Sequence, residues 1–242
     1  MASVRVLYED NHCLAVGKPA GVATTHGGRS ELTVDQLAKD FLKQKYRKPG
    51  RVFLGIVHRL DKPVSGVLLF ARTSKAAARL SQQFREHAVE KVYWAVVSPR
   101  SQSPAGTRPL AMNGGEFHLD DWLIHDDNAM MVRAATPSSP GAVAASTVGR
   151  VLARDGETWL IELRPKTGRK HQLRVQLASR GWPIVGDRKY GSRRKFPQGI
   201  ALHAVRLNFR HPVRDETIRL HADPPETWTN EFGRLLHLAK TR

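Results

Sequence analysis

Short apolar runs broken by turn residues dominate this chain, and helical spacing intrudes at only a few places. Val4 to Tyr8 and Cys13 to Val16 read as strands separated by the turn-prone Glu9-Asp10-Asn11. Lys18-Pro19-Ala20-Gly21 then breaks the pattern, and Gly27-Gly28 marks a loop. A helix follows, with Thr33 and Gln36 at capping-box spacing and Val34, Leu37, Ala38, Phe41 and Leu42 on one face. It ends in the basic run Lys43 to Lys48, before Pro49-Gly50. Val52 to Val57 and Val67 to Phe70 predict two strands around a turn that Pro63 and Gly66 enforce. A second helix runs from Ser74, its expected N-cap, to His87, with Ala77, Leu80 and Phe84 at helical spacing.

Lys91 to Val97 alternates as a strand, Val92, Trp94 and Val96 facing one way and Tyr93, Ala95 and Val97 the other. Two stretches rich in Ser, Pro, Gly and Ala, Ser98 to Gly115 and Ala134 to Ser146, read as surface loops. Strands are expected at Thr147 to Ala153, Thr158 to Arg164, Ala201 to Phe209 and Thr217 to His221. His171 to Arg180 fits either period; Gly181 as a C-cap and Pro183 beyond it favour a helix. Trp228 to Leu238 predicts a closing helix. Many strands, few helices and no regular βα alternation define an α+β chain with a mixed sheet. There is no internal repeat, and residues 1–242 are read as a single domain.

Charge narrows the function. Lys and Arg number 39 against 22 Asp and Glu, a formal charge of +17. The excess lies within apparently folded segments such as Arg164 to Arg174 and Arg188 to Lys195, the footprint expected of a phosphate-backbone binder. Basic amphipathic helices and lipidation signals, which would favour a membrane surface, are absent from the sequence. No run of 18 apolar residues and no signal-peptide h-region occurs, so an intracellular, cytoplasmic protein is expected. Cys13 is the lone cysteine, which excludes an intramolecular disulfide and a cysteine metal cluster; a buried structural thiol is expected.

Familiar catalytic signatures are missing: no phosphate loop ending in Lys-Ser/Thr, no HExxH, no Gly-x-Ser-x-Gly elbow and no dinucleotide fingerprint. His118, His125 and His171 do not stand at metal-ligand spacings, so no metal and no organic cofactor is expected. What remains is His58-Arg59-Leu60-Asp61, a carboxylate on a turn between two strands, where reactive groups are usually placed. Taken singly, Asp61 could cap its own turn, Tyr93 could be core, Lys18 any turn lysine, and the Arg164 to Arg174 segment a solvated face.

Taken in order they form a pattern. KPAG at 18–21, HRLDKPVSGVLLFART at 58–73, KVYWAVV at 91–97, TGRKHQLRV at 167–175, GDRKYG at 186–191 and LHAVRLNFRHP at 202–212 resemble the RluA-type pseudouridine synthases, from about Val6 to Pro212. The HRLD and TGRxHQLR pieces are the specific ones. The resemblance implies a mixed, mostly antiparallel, bisected sheet with flanking helices and loops, and cofactor-free isomerisation of uridine in structured RNA, a tRNA or rRNA stem-loop. It implies that Asp61 is the catalytic aspartate, that Tyr93 packs against the target base, and that Arg174 pairs with Asp61 and keeps it ionised. It makes Arg59 the residue that enters the RNA stack as the uridine leaves, and Leu202 an apolar wall of the base pocket. Lys18, Arg169 and Lys170 are expected to contact RNA.

The chemistry fits those residue types. A stacked uridine must be flipped out before one carboxylate can reach both ends of the rearrangement, and a guanidinium plane can fill the gap. Asp61 would then attack C1′, add to C6 or remove the 2′ proton. Tyr93 and Asp61 are both candidates for removing the C5 proton. Two departures from the family pattern stand out: Val64 where threonine is common, with Ser65 expected to take over the hydrogen bond that holds the turn, and Lys170 where a small hydroxyl residue is common. The sequence starts its catalytic pattern at Val4, so RNA grip is expected from the catalytic domain itself, acting as a monomer. The rival readings are a non-catalytic RNA chaperone or binding module using the same basic face, and a glycosidase-like hydrolase, for which no second acid stands in the matching motifs.

Overall fold

The protein is described by a computed structural model in which residues 4–25, 31–99, 115–126 and 131–240 are defined. It divides into two compact units, Met1–Lys91 with His203–Pro225, and Val92–Leu202 with Glu226–Arg242.

In the first unit, β1 (Arg5–Glu9) and β2 (Cys13–Lys18) form an antiparallel hairpin, and β2 pairs along its length with β4 (Ser65–Ala71). Every residue of β4 is buried, which explains its unbroken apolar run. β10 (Leu202–Arg210) joins β4 in parallel at His203–Ser65 and Ala204–Gly66, and β11 (Thr217–His221) continues antiparallel from β10. The predicted strand 52–57 shrinks to β3, Gly55–Ile56, because only these two residues pair, with Ala71 and Phe70. Helix α1 (Val34–Lys45) starts as expected, the Gln36 side chain accepting the Thr33 N–H at 3.1 Å. Helix α2 (Ser74–Arg85) is capped one residue earlier than predicted, by Thr73, whose hydroxyl accepts the Ala76 N–H. Ala76 and Leu80 of α2 pack on Leu69, Ala71, Leu207 and Phe209 of the sheet.

In the second unit, β5 (Glu90–Val97), β9 (Thr158–Pro165), β8 (Val143–Asp155), β6 (Glu116–Asp126) and β7 (Met131–Ala135) form an antiparallel sheet in that spatial order. The predicted loop at 134–146 is in fact the β7–β8 turn together with the ends of both strands. The predicted loop at 98–115 lies almost wholly outside the described residues. Strands β6 and β7 were not anticipated. Phe117, Leu119 and Leu123 do alternate inward, but the charged Asp120 and Asp121 between them mask the period. Gly149 faces Phe117 across the pair, where a Cβ would meet the ring at 2.3 Å. Helix α3 (Gln172–Ser179) packs Val175 and Ala178 against Leu123, Val132 and Ala145. Helix α4 (Glu226–Lys240) buries Trp228, Phe232 and Leu235 and is kinked at Phe232. No helix among the described residues is long and apolar enough to cross a membrane.

Candidate active site

In the first unit the polar residues converge on the main chain around Asp61. Asp61 is partly exposed on the turn between β3 and β4, and its carbonyl accepts the Val64 N–H at 3.0 Å. Lys18, the last residue of β2, lies beneath this turn with only 2% exposure. Its ammonium donates to the carbonyls of Pro19 (2.9 Å), Val22 (2.6 Å) and Lys62 (3.1 Å). An ammonium has three hydrogens, so these bonds use all of them and tie the KPAG loop to the residue after Asp61. The Gly21 N–H adds a bond to the Lys62 carbonyl at 2.8 Å, and Thr24 bridges both the N–H and the carbonyl of Leu60. Burial pulls the Lys18 pKa down to about 7, opposed by the Asp61 charge. Lys18, expected to contact RNA, is buried and holds these carbonyls.

His58 explains another letter of the HRLD motif. Between the stretch of β4 that pairs with β10 and the stretch that pairs with β3, the Leu69 N–H donates to His58 Nε2 at 2.9 Å. The imidazole thus completes a strand edge where neither strand reaches, and stacks on Phe84 with centroids 4.7 Å apart. Because Nε2 accepts, the proton sits on Nδ1 and the ring is neutral. Burial, then the Lys91 charge, push its pKa to about 3. Arg59, one residue on, is exposed and makes no ion pair among the described residues. Ser65, expected to brace the Asp61 turn, donates instead to His203 Nδ1 at 2.8 Å, and His203 Nε2 bonds the Ala222 carbonyl.

In the second unit the polar residues centre on α3, buried on every side from Gln172 to Ala178. A helix with no solvent face must satisfy its polar side chains internally. Gln172 accepts from the Thr167 hydroxyl and the Arg169 N–H and donates to Ser146 and Thr147. Gln176 bonds Leu119, Asp121, Ala145 and Thr147. Arg174 is paired with Asp187 through two bonds, Nε to Oδ2 at 2.7 Å and Nη2 to Oδ1 at 2.9 Å, and lies 4.9 Å from the centre of the Tyr190 ring. Tyr93 is partly buried on β5 opposite Leu163, and Leu202 is buried at the start of β10. Arg169 and Lys170 are exposed; Arg169 Nε donates to the Ala144 carbonyl and Lys170 Nζ to His125 Nε2. Sequence reasoning passed over Asp187, Tyr190, His58 and Gln172 as individuals, although each stands in a quoted motif.

Among the described residues, Asp10, Cys13 and His211 have metal-ligand atoms in reach of each other. Their lone pairs are already in use. Asp10 accepts from the His12 and Cys13 N–H groups, the Tyr8 hydroxyl, His211 and Arg214. Burial, then the Asp10 charge, raise the Cys13 thiol to about 12. The set reads as a hydrogen-bonded anchor of the β1–β2 and β10–β11 turns.

The fold is that of solved pseudouridine synthases: human RNA pseudouridylate synthase domain containing 4 superposes with a TM-score of 0.73 at 25% identity, covering 96% of this chain and 93% of that one. Human RNA pseudouridylate synthase domain containing 1 shares the fold, with a TM-score of 0.70 and coverage of 99% and 96%. Residues 12–179 match the family described as RNA pseudouridylate synthase, and the chain belongs to it. It is 36% identical to tRNA pseudouridine synthase C of Yersinia pestis over 95% of this chain and 91% of that protein. It is 33% identical to the dual-specificity RNA pseudouridine synthase RluA of Vibrio vulnificus over 86% and 78%. It is thus an RNA pseudouridine synthase, an isomerase.

Proposed function

We propose that this protein converts uridine to pseudouridine in a tRNA or rRNA stem-loop, with Asp61 as the catalytic carboxylate and no cofactor. The observation that carries the reading is the Asp61 turn itself, a partly exposed acid followed by Lys62, whose carbonyl is held from below by Lys18. A carboxylate that must meet a flipped nucleotide needs both access and a fixed position, and this turn provides both. Arg174 is the arginine that serves the Asp61 carboxylate in the reaction, Tyr93 and Leu202 wall the uracil while it turns, and Arg59 fills the vacated stack. Arg169 and Lys170 meet phosphates; their exposure on the Thr167–His171 turn favours that role. Residues 1–242 act as one catalytic domain, as a monomer, in the cytoplasm. The names of the relatives, one a tRNA enzyme and one of dual specificity, support the substrate class.

The test is release of tritium from RNA labelled at uracil C5, on unmodified tRNA and rRNA separately, without added cofactor. Wild type should release it and Asp61→Asn should not, while both bind the RNA alike. Tight binding with no release from either RNA would mark a chaperone or binding module. Release that persists in Asp61→Asn would remove Asp61 from the chemistry.

A further inference from the structure

We propose that Asp187 is a positioning residue for the isomerisation, fixing the plane and rotation of the Arg174 guanidinium through a buried two-point pair. The inference rests on the reading of Arg174 as the partner of Asp61. Both members are buried, Arg174 at 5% and Asp187 at 1% exposure. Two parallel bonds to Nε and Nη2 set the rotation of the guanidinium about its own axis, which a single contact would leave loose. The Tyr190 ring covers one face of the plane. That ring is itself immobilised, its oxygen accepting the Val132 N–H at 3.1 Å and lying 2.7 Å from His171 Nδ1.

Asp187 is equally well placed. Its N–H donates to the Ile184 carbonyl, and its own carbonyl accepts from the Tyr190 and Ser192 N–H groups. The GDRKYG turn is therefore held by its main chain, and the Asp187 carboxylate is left to the arginine. A guanidinium bonded along its Nε edge presents its far end as a donor fork of set direction. An arginine that serves a catalytic carboxylate gains from that, because misplacement by about 1 Å costs on the order of a hundredfold in rate. A plain structural ion pair would serve stability alone, so the two roles separate by what is lost on substitution.

The experiment compares single-turnover rate, RNA affinity and thermal midpoint in wild type, Asp61→Ala, Asp187→Asn and Asp187→Glu. Asp187→Asn keeps the shape and removes the charge; Asp187→Glu keeps the buried charge balance and displaces the carboxylate by one methylene. The expected result is a rate loss of tenfold or more in Asp187→Asn and fivefold or more in Asp187→Glu, with RNA affinity within threefold of wild type. Should Asp187→Asn fail to fold, Asp187→Glu decides. Smaller rate losses, or losses confined to affinity or thermal midpoint, overturn the proposal. No turnover by wild type sinks the catalytic reading and this inference with it. Turnover lost in Asp61→Ala but retained in both Asp187 variants sinks this inference alone.

Discussion

The Asp61 turn and the Arg174 helix solve the same problem, holding one charged group still, by opposite means. Around Asp61 the holding bonds go to the main chain: Lys18 to three carbonyls, Thr24 to both polar groups of Leu60, His58 to the Leu69 N–H. Around the Arg174 guanidinium they go from side chain to side chain, Asp187 pairing with two of its nitrogens and the Tyr190 ring lying against it. A turn leaves its acid accessible but offers few side chains to brace it, so the backbone must be tied directly. A helix buried on all sides presents polar side chains that must find partners inside the protein, and these can be tuned one by one. Substitutions near Asp61 should therefore move stability and rate together, whereas those near Arg174 should separate them.

The largest effect is expected at Gly66. Its φ of +123° is a conformation that side chains rarely adopt, and a Cβ would stand 2.3 Å from the Ala204 carbonyl oxygen where β4 and β10 run parallel. Gly66→Ala should cost at least about 3 kcal/mol, because backbone rather than a flexible side chain blocks the way. Denaturant unfolding reads this directly, and a loss below about 1 kcal/mol would show that the strands can part without penalty. Lys18→Met comes next. It strands three carbonyls under the turn while relieving the burial of a charge, so a net loss of roughly 1–2 kcal/mol is expected. Turnover should fall about tenfold with it as the Lys62 carbonyl comes loose beside Asp61. Unchanged turnover in a destabilised variant would break the comparison, since the two quantities would then be separable on this side as well.

Much of this was legible in the sequence, and the failures share a cause. The capping box of α1, the Gly181 stop after α3 and the strand at β5 are local, and local spacing reported them correctly. The HRLD and TGRKHQLR strings marked where chemistry sits because their residue types are improbable together. Spacing could not report burial. Lys18 carries the same formal charge as Lys170, yet one is sealed under a turn and the other is exposed. Nor could it report long-range partners: Asp187 meets Arg174 from 13 residues away, and Ser65 meets His203 from 138. Strand 52–57 failed for a related reason, since apolar residues make a strand only where a neighbour offers a free edge, and β4 offers one only at Phe70 and Ala71.

The last effect is a pH dependence on the Asp61 side, read as a difference between two proteins. His58 is held neutral in the fold with a pKa near 3, against an ordinary value of 6.5. Above pH 6.5 neither the folded nor the unfolded chain protonates this ring, and its contribution to stability is complete. Between pH 6.5 and 3 the unfolded chain takes up a proton that the folded chain refuses, so stability falls by at most about 1.4 kcal/mol per pH unit. His203, pushed down to about 4 mainly by burial, adds a loss of the same sign over the upper part of that window. His58→Gln should flatten the His58 share of the slope below pH 6.5, because an amide oxygen can accept the Leu69 N–H but does not titrate. Unfolding midpoints measured at pH 7.5 and 5.0 for both proteins decide it. Equal losses on acidification would mean that the proton is refused elsewhere and that His58 is not what ties this edge of β4.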